Sequence, residues 1–179
     1  MESIGTKRIS SSPLLFSILT SLLAIFVFTP TRAFAQASPA VAIHVTGEVP
    51  RHLNLSVADL AAFQRQTIRV TDERGSSVEY GGVPVAEILK KAGAPLGKEL
   101  RGANLALGVI ARASDGYRVL FSLTEFDAAF SDRIILLADR RDGKPLDGRE
   151  GPLRLVVSGD QRHARWVRGV TILEIFKVR

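Results

Sequence analysis

The 179-residue sequence contains no cysteine, one methionine (Met1), one tryptophan (Trp166) and two tyrosines. The missing thiol excludes disulfides, zinc ribbons, iron–sulfur clusters, c-type haem attachment and any metal held by a protein thiolate. Histidine is nearly as scarce. His44, His52 and His163 are the full set, and none stands at H-x-x-x-H or H-E-x-x-H spacing, so no protein-built metal centre is expected. No G-x-S-x-G nucleophile elbow exists either; Ser158-Gly159 does not complete one. Aromatics are sparse and do not alternate with basic residues, which argues against nucleic acid as a partner. No apolar run reaches the ~20 residues that a helix needs to cross a bilayer.

The longest such run is Leu14 to Phe28 (LLFSILTSLLAIFVF), fifteen uncharged residues. Lys7 and Arg8 precede it, and Pro30, Arg32 and Ala33-Phe34-Ala35 follow. A basic start, a short apolar stretch and small residues at an A-x-A site read as a signal peptide over residues 1–35, cleaved after Ala35. Lys7-Arg8 is not a twin-arginine pair, so the Sec route, in which the chain crosses unfolded, is expected. The predicted destination is the periplasm or the exterior, and membrane association would require an uncleaved signal. Removing Lys7, Arg8, Arg32 and Glu2 leaves 21 basic and 17 acidic side chains. This modest surplus favours a small anionic ligand without naming one.

What remains has the balance of a globular domain, with 46% hydrophobic and 23% charged residues over the whole chain. Residues 36–41 form a short linker, and residues 42–179 a single domain. Ala42 to Val49 alternates as a first strand. Ser56, with Asp59 three residues on and Val57, Leu60 and Ala61 at helical spacing, predicts a helix. Thr67 to Val70 and Ser77 to Tyr80 predict a hairpin around Glu73-Arg74-Gly75. Pro84 opens the clearest helix, with Val85, Ile88, Leu89 and Ala92 on one face and Gly93 at its end. Strands follow at Leu105 to Ala111, Tyr117 to Leu123, Ile134 to Ala138, Leu153 to Val157 and Val170 to Val178. Asp142-Gly143 and Asp147-Gly148 supply turns. The fold class is α+β: a β-rich mixed-sheet domain with short helices.

Five arginines crowd the window from Arg149 to Arg168 (Arg149, Arg154, Arg162, Arg165 and Arg168) against only Glu150 and Asp160. The planar guanidinium fork suits phosphate or carboxylate, and a turn from Gly159 to Arg165 could add backbone N–H donors. Two roles are open to these side chains. They could clamp an anion, or they could form a solvated turn in which Arg154 buttresses the fold through a carboxylate. Tyr117 and Trp166 read first as packed residues. Asp115-Gly116 reads as a tight strand entry.

Several segments in succession resemble one family. They are Tyr80-Gly81-Gly82-Val83-Pro84 with the helix ending at Ala92-Gly93, then Ala113-Ser114-Asp115-Gly116-Tyr117 and Leu136-Leu137-Ala138-Asp139. Gly151-Pro152-Leu153-Arg154-Leu155-Val156-Val157 and Arg165-Trp166-Val167 complete the order. From about Val45 to Val178 the chain resembles the molybdopterin-binding domain of the sulfite-oxidase-like oxidoreductases. The resemblance implies that fold, a molybdopterin cofactor, and oxygen-atom or electron transfer carried out by the cofactor. It also implies cofactor contacts from Arg162, His163 and Arg165, the last in place of the usual lysine, and Arg154 is counted as a fourth cofactor-binding candidate. The family's molybdenum-ligating cysteine would fall between Thr67 and Tyr80, where this chain has Thr67, Thr71, Ser76 and Ser77. A hydroxyl is a poor substitute for a soft thiolate. The resulting expectation is a scaffold that binds a small anionic, pterin-type ligand, or a non-catalytic binding module, with no metal held by the protein.

Overall fold

The computed structural model describes residues 41–178. The predicted signal peptide and the linker up to residue 40 lie outside the described residues. The strands in chain order are β1 (Val41–Gly47), β2 (Leu53–Ser56), β3 (Gln66–Thr71), β4 (Ser77–Pro84), β5 (Leu107–Ala113), β6 (Arg118–Ser122), β7 (Ile135–Arg141), β8 (Lys144–Pro145), β9 (Arg154–Val157) and β10 (Val170–Lys177). One α-helix, α1 (Val85–Ala92), and several 3-10 turns connect them.

Two sheets result. The first has the order β2-β1-β10-β5-β6, and the second runs β3-β4-β7-β8 with β9 also paired to β7. β1 and β10 pair in parallel while their other neighbours are antiparallel, so the first sheet is mixed, as predicted. One apolar core draws on both sheets and on α1. β7 is buried along Ile135 to Ala138, as its unbroken apolar run implies, whereas β9, read as an alternation of Leu153, Leu155 and Val157, is buried at every position, Arg154 included. Tyr80 lies opposite Arg141 across the β4–β7 ladder. A register shift between Gly81 and Gly82 brings the two strands so close that a Cβ on Gly82 would lie 2.1 Å from the Leu137 carbonyl oxygen. Only glycine fits there.

Helix α1 matches its sequence signature. Val85, Ile88, Leu89 and Ala92 face the core, and Gly93 closes the helix in the left-handed region at φ 84°. The helix predicted after Ser56 is instead a single 3-10 turn, Asp59–Ala62. Its capping pair forms: the Ser56 backbone N–H and hydroxyl both donate to the Asp59 carboxylate. The apolar stripe fails, because Leu60 is buried while Val57 is exposed. Four-residue β2 was invisible to periodicity, having only Leu53 and Leu55 to show. The strand expected from Leu105 starts at Leu107, after a 3-10 turn over Gly102–Ala106 that leaves Leu105 exposed. At the other boundary, β6 stops at Ser122, where Ser122 and Glu125 form a capping box for the turn Leu123–Phe126.

Candidate functional site

Four connections surround an open two-lobed cleft: the β3–β4 hairpin tip, the β7–β8 hairpin, the loop before β9, and the turn from Ser158 to Trp166. In the β7–β8 hairpin, Asp142 (φ 48°) and Gly143 (φ 75°) both take positive φ, as a type I′ turn requires. The first lobe, about 640 Å³, has Tyr80, Arg154 and Trp166 among its walls. The second, about 860 Å³, is lined by Thr71, Ser158, Gly159 and Arg162. Asp72, Glu73, His163 and Trp166 border both.

A charge network underlies the first lobe. Arg141 donates from Nη2 to Asp72 Oδ2 (2.9 Å) and from Nη1 to Glu150 Oε1 (3.1 Å). Arg154, nearly fully buried, donates from Nη1 to the same Glu150 oxygen and to Tyr80 Oη (3.2 Å). Burial pushes the Tyr80 phenol pKa up, so the hydroxyl stays protonated beside two guanidiniums. Trp166 stands edge-on to Tyr80 at 6.0 Å, and the Arg154 guanidinium lies 5.5 Å from the Trp166 ring centre. Arg154 Nε and Trp166 Nε1 are buried donors without an acceptor.

A second network holds the turn. Arg165 donates from Nε and Nη2 to Asp160 (3.0 and 2.8 Å) and from Nη1 to Glu125 (2.6 Å), with its guanidinium 5.0 Å from the Phe121 ring. The hydrogen bond to Asp160, then Glu125, raises its pKa further and keeps it permanently charged. Tyr117 is half exposed, and its hydroxyl donates to the Ala164 carbonyl (2.7 Å), pinning the same turn.

The four site residues named from sequence therefore sit around one turn but hold different posts. Arg154 and Arg165 are committed to carboxylates. Arg162 is exposed and forms no ion pair among the described residues. His163 stacks on Trp166, ring centres 3.8 Å apart and 26° from parallel. Arg168 reaches Glu73 at 3.5 Å across the cleft, with both side chains more than half exposed. Sequence reasoning left out Asp72 and Arg141, and it counted Glu150 only as charge. Asp72 follows β3, Arg141 ends β7 and Glu150 lies in the loop before β9, three places far apart in the chain; the one local signal was Arg140-Arg141 just past the buried run of β7.

The family model for the oxidoreductase molybdopterin binding domain matches residues 34–176. The chain belongs to that family. Comparison with curated proteins gives no match. Among solved structures, the crystal structure of the sulfane dehydrogenase SoxCD from Paracoccus pantotrophus resembles it with a TM-score of 0.58 at 22% identity. The match covers 75% of this chain and 37% of that one, so the chain spans little more than a third of its neighbour's length. At that identity the likeness establishes the sulfite-oxidase-type fold.

The donors present suit the organic, anionic part of a molybdopterin better than its metal. Arg162 is a cation open to a phosphate, and two buried N–H donors lack acceptors. No protein thiolate exists, and among the described residues no group of three or more His, Asp or Glu is placed to hold an ion. The carboxylates nearest the cleft floor, Asp72 and Glu150, are engaged by arginines.

Proposed function

We propose that this member of the molybdopterin-binding family is an exported, single-domain protein that binds a small anionic ligand of pterin type in the two-lobed cleft. On this reading its own side chains hold no molybdenum. The observation that carries the proposal is the division of labour among the arginines: Arg154 and Arg165 fasten the walls, while Arg162 beside the stacked His163 is left for an anion. If a molybdopterin binds, the cofactor supplies the oxygen-atom or electron-transfer chemistry, and the chain's residues bind and orient it. A binding module that kept the scaffold and lost the metal is the simpler description, because no thiolate is available.

Arg162→Gln tests the site. Loss of a charge-assisted contact worth ~1.5–3 kcal/mol should weaken a pterin phosphate about tenfold or more in calorimetric titration, with no change in melting temperature. Unchanged affinity would remove Arg162 from the site. Elemental analysis of the natively exported protein tests the metal, and stoichiometric molybdenum would overturn the binding-module reading.

Export follows from the signal-like segment in residues 1–35. The mature chain is then expected to begin at Gln36, which intact-mass measurement of the exported protein checks. A full-length mass with stable membrane association would show an anchor instead.

A further inference from the structure

Within this cleft, His163 and Trp166 form a stack whose two members are held very differently. Trp166 is buried, braced edge-on by Tyr80 and flanked by the Arg154 guanidinium. The His163 ring, by contrast, makes no side-chain hydrogen bond among the described residues. It is half-buried, stacks on the indole and borders both lobes together with Asp72, Glu73 and Trp166. Tyr117 pins the backbone just after it through Ala164, so the side-chain torsions of His163 are what can change. Imidazole rotation is fast compared with any change of fold.

We propose that His163 is a displaceable cover on a ring-binding face: a flat heteroaromatic ring carrying a phosphate takes the imidazole's place against Trp166 while its anion meets Arg162. The inference rests on the cleft being a binding site, and adds which surface reads the ligand. Three observations converge. The His163–Trp166 contact, with ring centres 3.8 Å apart and 26° from parallel, shows that this indole face already accepts a flat heteroaromatic ring. Trp166 Nε1 is a buried donor without an acceptor, a demand that a polar substituent reaching the indole edge, though not the stacked ring itself, would meet. The two lobes beside the stack, about 640 and 860 Å³, are each of small-molecule size. A nucleoside monophosphate and a pterin monophosphate share this chemistry.

Trp166 is the only tryptophan, so its fluorescence reports this face alone. The intact chain is titrated with guanosine monophosphate, a pterin monophosphate and inorganic phosphate, and then again as His163→Ala. At least one ring-bearing probe should quench the indole saturably, and inorganic phosphate should not; which ring binds tighter identifies the source. Because the ring no longer has to displace a stacked imidazole, His163→Ala should tighten that probe about two- to tenfold. His163→Gln, which keeps a polar side chain but cannot stack, should do the same and guards against an unstable alanine variant. Weaker binding in both variants would make the imidazole a direct contact and overturn the cover. Binding of inorganic phosphate as tightly as the ring probes, without quenching, would overturn the ring face and leave the anion site standing. If no probe binds, the cleft reading itself fails and this inference fails with it.

Discussion

Two ion networks frame the cleft, and they are built in opposite senses. In one, a single carboxylate, Glu150, receives two guanidiniums, Arg141 and Arg154. In the other, a single guanidinium, Arg165, reaches two carboxylates, Asp160 and Glu125. The first lies deeper: the Arg154 side chain is 4% exposed, against 27% for Arg165. The same residue type therefore acts as buried scaffolding at one position and as a clasp on a surface turn at the other. Clustered arginine in a sequence signals a network before it signals a ligand.

The largest effect should come from cutting the deeper hub. Glu150→Ala leaves Arg154 buried without its counter-charge and is expected to lower stability by about 3 kcal/mol, measured by urea unfolding. A change below ~1 kcal/mol would show that water reaches Arg154 and that the two hubs are equivalent. Arg165→Gln should cost less, about 1–2 kcal/mol, because the Arg165 guanidinium keeps partial access to solvent where Arg154 has almost none. It should also loosen the turn that carries Arg162, weakening phosphate binding as an indirect effect. If Arg165→Gln instead abolished binding at unchanged stability, Arg165 would be a ligand contact and the contrast between the hubs would fail.

The smallest effect concerns acid. The Asp72 carboxylate accepts the Ser76 and Arg74 backbone N–H groups and a bond from Arg141, which together hold its pKa below the ordinary carboxylate value. A carboxyl with a depressed folded pKa contributes stability that is present above its unfolded pKa of about 4 and lost as pH falls through the folded value. Melting temperature followed downward from pH 6 should therefore drop below about pH 4, and Asp72→Asn should flatten that drop. An unchanged acid profile would place the titration elsewhere.

How much of this was legible depended on range. Helix α1 carried its own start, stripe and stop in ten consecutive residues, Pro84 to Gly93, and folded as read. The β3–β4 hairpin was likewise local. Ser56 and Asp59 gave a true cap and a false helix, because a cap only permits a helix that buried side chains must then sustain. The site was half legible for the same reason. Arg162, His163 and Arg165 lie within one turn and could be named from the sequence. Which of them is free could not, since the partner of Arg165 at Glu125 lies forty residues away and that of Arg141 at Asp72 sixty-nine.

The placement of β10 carries a consequence for how the chain reaches this state. It is the middle member of the first sheet, bonded on one side to β1 and on the other to β5, although it follows every other strand in the chain. Before it arrives, that sheet can exist only as two separate pairs, β2 with β1 and β5 with β6. The register that joins His44 to Ile172 spans nearly the whole domain, the kind of long-range closure that makes folding slow. Assembly of this sheet must therefore be largely a single late event, and a nascent chain remains without the central strand until Val170–Lys177 has been delivered.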